Sequence, residues 1–340
     1  MAKSRKLESL LAQLQQIRPN PTTPEAMVLL RQLLTSKQPV AIAQAAKLIA
    51  EAEHYNLIPD MVAAFEWAMI KPKEQDPGCI AKLKLADALY RLDYSNEDLF
   101  LQGIRYTGGS NDRSAPLQSV CALGLARMNY PDVMSELADL LADSEPDARI
   151  GSARAIAYTG NLSGVPLLRL RIKLGDSAPV LLECFLALLQ LSPTQSSIDL
   201  VRSFLVIQSQ AEDRERTDIV EAAALAFGES RLPEAFDILR TWWHSVSIPE
   251  LRKTGSIAIS LIRNDESVSF LLSVIQSGTL VDAKNSIAAL SVYSENQALW
   301  QLVRERIEQR GEPSLLSMAN RSINPISLTS LSQIHDSNRC

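Results

Sequence analysis

Ala153-Arg154-Ala155-Ile156 is one of eight short strings that set the organisation of this chain. In all but one, a small residue stands directly before Leu or Ile, and another small or apolar residue lies two places earlier. The others are Ala46-Lys47-Leu48-Ile49, Ala86-Asp87-Ala88-Leu89, Val120-Cys121-Ala122-Leu123, Phe185-Leu186-Ala187-Leu188, Ala222-Ala223-Ala224-Leu225, Ser256-Ile257-Ala258-Ile259 and Ile287-Ala288-Ala289-Leu290. The third position is Ala in all but the first. Subtracting the numbers of successive final residues gives spacings of 40, 34, 33, 32, 37, 34 and 31. A near-constant period of this length is the mark of a repeat protein whose unit is one small supersecondary motif.

The motif is legible on either side of each string. Short breaks follow, such as Asn129-Tyr130-Pro131-Asp132, Thr159-Gly160-Asn161, Gly228-Glu229-Ser230 and Arg263-Asn264-Asp265. Beyond them apolar residues return at helical spacing: Val133, Leu137, Leu140 and Leu141, then Val165, Leu168 and Ile172, and later Val268, Leu271, Leu272 and Ile275. Each unit therefore reads as helix, turn, helix. The small residues have a physical purpose, because helices of neighbouring units approach closely only where side chains are small. No unit buries its apolar face alone, so several must stack and the end units need polar covers. Residues 1–20 are expected to form a capping helix, residues 21–310 the stacked array, and residues 311–340, rich in Ser and Asn, a C-terminal cap and loose tail.

The fourth unit carries a resemblance. Asp143-Ser144-Glu145-Pro146-Asp147 puts acids and a proline where a helix begins, Arg149 follows in the first turn, and Gly160 stands where the helix should stop. The acid-x-x-Pro-x-x-Arg start, the Ala-x-Ala-Ile core, the Gly break and Val165-Pro166-Leu167-Leu168 resemble the HEAT repeat, in the short form of phycobilisome-lyase-like proteins. The resemblance is fullest over residues 143–176 and extends over 39–142; beyond 177 the spacing persists while the Arg is kept only as Arg252. The tetratricopeptide signature is missing, and armadillo units would be longer with a third helix. The resemblance implies an all-α fold, a right-handed α-solenoid of about eight two-helix repeats. It also implies one specific activity class, a bilin lyase subunit or phycobiliprotein chaperone.

Composition narrows the function classes. A net charge of −5 opposes the cationic excess that phosphate neutralisation requires, so no nucleic-acid partner is expected. Cys79, Cys121, Cys184 and Cys340 are far apart and form no C-x-x-C pair, which favours free thiols in a reducing compartment. The N-terminal segment reads as an amphipathic helix, and the longest apolar stretch, residues 180–191, is short of a membrane span and contains Glu183. A soluble cytoplasmic protein with no membrane partner is expected.

Catalytic and metal motifs are sparse. His54, His244 and His335 lie in separate parts of the chain without ligand spacing, and no phosphate loop or nucleophile elbow is present. Gly108-Gly109 reads as part of a flexible link. The expectation is a non-catalytic scaffold, adaptor or assembly factor with no cofactor and no metal, binding a protein along the second helices of its units. Outward residues there are Asp132, Glu136, Asp139, Arg169, Lys173, Asp199, Arg202, Asp237, Arg240, Arg304 and Glu308. Their mixed signs suit a protein better than a polyanion. Arg169 and Lys173 share one helical face. Trp242 follows Ile238 at helical spacing and belongs to the core, whereas Trp243, a hundred degrees further round, is either a spacer between units or an exposed anchor. Trp67 and Tyr55 read as a core aromatic stripe. The partner-binding candidates are Arg169, Lys173, Arg202, Asp237, Arg240 and Trp243.

Overall fold

The computed structural model describes residues 2–108, 114–206 and 214–323. Gly109, His335, Cys340 and the tail expected after residue 323 lie outside them. Among the described residues every regular element is helical. The chain divides into two compact units, Met1–Lys173 and Leu174–Cys340. The first contains α1 (Ala2–Ile17), α2 (Pro24–Leu34), α3 (Pro39–Glu51), α4 (Ile58–Ile70), α5 (Pro72–Gln75), α6 (Ile80–Arg91), α7 (Glu97–Ile104), α8 (Ser114–Arg127), α9 (Val133–Leu141) and α10 (Pro146–Thr159), with α11 (Val165–Leu174) at its boundary. The second contains α12 (Ala178–Leu191), α13 (Gln195–Arg202), α14 (Arg214–Ser230), α15 (Ala235–Ser245), α16 (Pro249–Leu261), α17 (Asp265–Ser277), α18 (Leu280–Ala289), α19 (Gln297–Arg310) and α20 (Ser314–Ile323).

Helix starts follow local chemistry. Proline occupies the first turn of α2, α3, α4, α10, α12 and α16, where its missing N–H is no loss. Asn96, Asn264 and Asn296 accept from the amides of Leu99, Ser267 and Leu299, satisfying donors that have no intrahelical partner. The helices bearing the small-residue strings then pack in sequence. In the first unit α3 lies on α6, α6 on α8 and α8 on α10; in the second α12 lies on α14, α14 on α16 and α16 on α18, and α20, which bears no string, lies on α18. The intervening helices cover them, with α7 against α8, α9 against α10, α15 against α16 and α17 against α18. Ala46, Ala86, Ala122, Ala155 and Ala258 are fully buried at these seams.

The register differs from the sequence reading in two units. At four of the eight anchors a left-handed residue stands four positions on, Glu53 after Ile49, Asp93 after Leu89, Gly160 after Ile156 and Arg263 after Ile259, whereas Ser192 after Leu188 and Ser294 after Leu290 are not left-handed. The equivalent left-handed residues Asn129 and Arg231 stand four positions after Leu125 and Phe227, not after Leu123 and Leu225. Leu125 and Phe227 are buried while Leu123 and Leu225 are half-buried. The amides of His54, Tyr94 and Tyr130 return to the carbonyls of Ile49, Leu89 and Leu125 at 3.0, 3.0 and 3.1 Å, so the anchor is also the point where the helix closes. Gly160, at φ 65, is the one glycine among these caps, and it adopts the left-handed conformation without the cost of roughly 1–2 kcal/mol borne by the others.

Gly228 behaves otherwise than the sequence suggests. It does not break a helix, since α14 runs on to Ser230. A Cβ there would sit 2.3 Å from the Ala258 carbonyl oxygen on α16, so the two helices meet backbone to backbone. The break comes three residues later, at Arg231.

The first spacing of 40 is accounted for by an extra turn. After α4 the chain forms α5 and loops through Cys79, left-handed at φ 56, before α6 begins. Asp76, 1% exposed, accepts from the amides of Ile80 at 3.0 Å and Lys82 at 2.9 Å. Lys82 is completely buried and turns back into the loop. Its Nζ donates to the carbonyls of Asp76 at 2.7 Å and Pro72 at 3.2 Å, and lies 3.7 Å from the Asp76 carboxylate. The ammonium also faces the Tyr106 ring at 4.6 Å. A buried charge persists only when partnered in this way.

Two stability effects follow. Gly228→Ala lowers stability by roughly 1–3 kcal/mol through overpacking, although alanine is the better helix former; thermal unfolding by circular dichroism measures it. Lys82→Met costs about 3–5 kcal/mol because the Asp76 carboxylate is left buried without a counter-charge, and adding Asp76→Asn to the same chain recovers part of the loss in the same assay.

Candidate functional site

The six candidate residues fall in both units. Arg169 and Lys173 lie on α11, the first half-buried and the second exposed, beside the exposed Leu170. The other four belong to the second unit. Asp237 and Arg240, one turn apart on α15, pair at 2.8 Å, and the Arg240 guanidinium also covers the Phe236 ring at 5.3 Å. Both side chains are largely exposed, so the pair shapes the surface more than it stabilises the fold.

Trp243 is held inside the protein, 4% exposed, and resolves as a spacer between units in place of an exposed anchor. Its Nε1 donates to the Arg252 carbonyl at 3.1 Å and to Ser256 Oγ at 3.2 Å. The Arg252 guanidinium stacks on the ring at 3.8 Å and donates to the carbonyls of Trp243 and Val246, both at 3.2 Å. It then reaches Asp282 on α18 with two bonds, 2.9 and 2.8 Å. Thr279 Oγ1 donates to the same carboxylate at 2.7 Å. Phe270 of α17 closes the cluster edge-on to Trp243, at 5.3 Å. The Arg252 hydrogen bonds, and then that of Thr279, hold the Asp282 carboxyl below the usual carboxylate range against the opposing effect of burial. One arginine thus ties α15, α16 and α18 together, a structural function for the Arg that the repeat pattern retains.

Arg202, at the end of α13, stands over a groove of about 340 Å³ between the α13 end and α15. Leu205, Val206, Ile238, Trp242 and Val246 give it an apolar lining, and Thr241 and Ser245 add hydroxyls. On α15 the lining residues Ile238, Thr241, Trp242 and Ser245 repeat at helical spacing, so one stripe of the helix forms the wall. Asp237 and Arg240 occupy the adjoining stripe. Val206 is 57% exposed, a large apolar side chain left facing solvent. Trp242 itself is buried, and its Nε1 has no hydrogen-bond partner.

In the first unit the outward residues are partly paired with each other. Arg105, just beyond α7, forms a forked ion pair with Glu136 of α9, its Nε lying 3.1 and 3.0 Å from the two carboxylate oxygens. Arg31 of α2 reaches Asp60 of α4 at 3.3 Å. These pairs link successive second helices. Of the aromatic stripe, Phe65 is core, Trp67 is half-buried and Tyr55 is exposed. Cys79, Cys121 and Cys184 are buried and in no disulfide, and burial pushes the Cys121 thiol far up. Among the described residues no group of three His, Cys, Asp or Glu is placed to hold a metal ion, and no helix is long and apolar enough to cross a membrane.

No family model matches the sequence, and no curated protein is significantly similar to it. Among solved structures the chain is similar to human deoxyhypusine hydroxylase in complex with glycerol, at 18% identity and a TM-score of 0.26, over 70% of this chain and 90% of that one. That protein is an enzyme. The expectation of a non-catalytic chain is corrected on this finding and withdrawn, and no activity is transferred in its place.

Asp282 sets a pH dependence for the second unit. Its folded-state carboxyl titrates below the unfolded value of about 3.9, so the stabilisation is fully present above that value and disappears as pH falls through the lower one. Asp282→Asn lowers stability by about 1–3 kcal/mol at pH 7 and shrinks the loss on acidification to pH 3, read by urea unfolding at the two pH values.

Proposed function

We propose that the chain is a HEAT-type α-solenoid whose second helices bind a protein partner, making it an interaction scaffold, adaptor or assembly factor. The observation that carries this reading is the groove beside α15. It joins an apolar lining, the solvent-facing Val206 and the rim cation Arg202 on one open surface. An apolar centre with a charged rim is the composition of a protein interface. The paired surface charges on both units, Arg105 with Glu136 and Arg240 with Asp237, supply the mixed-sign surroundings that favour a protein over a polyanion. The ordered packing of α3, α6, α8 and α10, and of α12, α14, α16, α18 and α20, supports the solenoid reading. Three buried cysteines outside any disulfide support a reducing, cytoplasmic location.

The test is affinity capture of the tagged full-length protein from its native lysate, read by mass spectrometry. The double variant Arg202→Glu/Arg240→Glu runs beside wild type, with Lys84→Glu on α6 of the first unit as a surface-charge control. A specific protein retained by wild type and control but depleted about tenfold or more with the double variant is the expected result. Identical retained proteins in all three samples sink the reading.

A further inference from the structure

A second groove lies within the first unit, between the end of α7 and the second helix α9, with α8 contributing to its lining. Its volume is about 420 Å³. Ile104 and Leu140 give it an apolar surface, and both are otherwise buried. Three carboxylates gather there, those of Glu136, Asp139 and Asp143, against one lining cation, Arg105. The forked pair with Glu136 occupies Arg105, which also feels the charge of Asp139. Asp143 is tied to the start of α10: its carboxylate accepts from the Glu145 amide at 2.8 Å, and Arg149 donates to its carbonyl at 2.7 Å. Asp139 is exposed and meets water, so it gives the groove its sign without naming an occupant. Gln118 of α8 adds a different observation. It is only 4% exposed, yet its side-chain amide makes no hydrogen bond among the described residues, where amides so deeply placed normally have partners. Neither amide atom is sealed off from solvent, as Trp242 Nε1 is, and the opening left to them is the groove that Gln118 lines.

We infer that this groove takes an arginine side chain of a protein partner. The inference rests on the protein-binding reading above and names the partner's chemistry. An arginine answers three features of the lining at once. Its methylene stem lies on Ile104 and Leu140, as long cationic side chains cover apolar surface. Its charge complements the carboxylates, which outnumber the lining cation three to one. Its planar fork carries five donors, so it can serve the Asp139 carboxylate and the Gln118 amide oxygen together. A lysine ammonium is a compact, strongly hydrated charge without that fork. A metal ion is not favoured, since among the described residues no group of three His, Cys, Asp or Glu is placed to hold one. An acidic or phosphorylated segment meets like charge.

Full-length protein labelled with ¹⁵N-glutamine is titrated with a short Gly/Ser peptide, acetylated and amidated at its ends, that carries one central arginine. The same peptide with lysine, or with citrulline, the uncharged analogue of the same shape, runs beside it. The Gln118 side-chain amide signal, assigned by its loss in Gln118→Met, moves on addition of the arginine peptide. Citrulline weakens binding about tenfold or more, and lysine and Asp139→Asn each weaken it about three- to tenfold. Asp139 is exposed, so its variant keeps the fold and the test does not depend on the buried Gln118. Asp132→Asn, the same charge change at the exposed α9 N-cap outside the groove, leaves binding in place. Equal binding of the arginine peptide and either analogue, no movement of the Gln118 signal, equal effects of the two Asp variants, or no binding overturns the inference. If the peptides fail while Arg202→Glu/Arg240→Glu still depletes a captured protein, only the arginine chemistry falls; if capture is unaffected as well, the protein-binding reading falls with it.

Discussion

Where Gly228 of α14 meets the carbonyl of Ala258 on α16, two helices touch at the backbone with no side chain between them. The rest of the array depends on contacts of this kind. Ala46, Ala86, Ala122, Ala155 and Ala258 hold the successive string-bearing helices close, which lets the neighbouring Leu and Ile fill the spaces between layers at interior density. Close approach also sets where several second helices lie, since α7, α9, α15 and α17 are packed onto the helices that follow them. The surface they present is therefore positioned by small residues at some remove from it.

Much of this is legible in the sequence because the constraint is repeated. Alanine before a branched or leucine residue, at intervals near one helical hairpin, marks helices that pack in succession, although α20, which packs on α18, bears no such string. The same rule misplaces two anchors. In α8 and α14 the string also matches two residues upstream of the true closing position, and neither Leu125 nor Phe227 carries a sequence mark that Leu123 and Leu225 lack. Only the left-handed residue four places on separates them, and outside Gly160 these caps include Glu53, Arg231 and Arg263, types that advertise no such conformation, beside Asp93 and Asn129, which tolerate it. Gly228 fails for a related reason: a glycine that ends a helix and one that lets another helix in look alike along a sequence. Lys82 was beyond reach, because a lysine in an amphipathic helix normally faces water, and its burial depends on carbonyls presented by an inserted turn.

The candidate site was partly legible. Helical spacing singles out Arg202, Asp237 and Arg240 as outward residues, which they are. Which tryptophan matters is settled by tertiary contacts. Trp243 is locked under Arg252, and its N–H is satisfied by α16, while its neighbour Trp242 lines the groove with an unpaired N–H. Adjacent residues on one helix face different neighbours, and the periodic pattern does not say what those neighbours offer.

The cations that finish helix ends share a direction along the chain. Arg127 of α8 donates to the carbonyls of Tyr90 and Tyr94 at the end of α6, Arg252 of α16 to those of Trp243 and Val246 at the end of α15, and Arg310 of α19 to that of Ile275 in α17. In each case the donor is synthesised after the acceptor. During translation a hairpin leaving the ribosome therefore keeps open carbonyls at its end until the next segment emerges to close them.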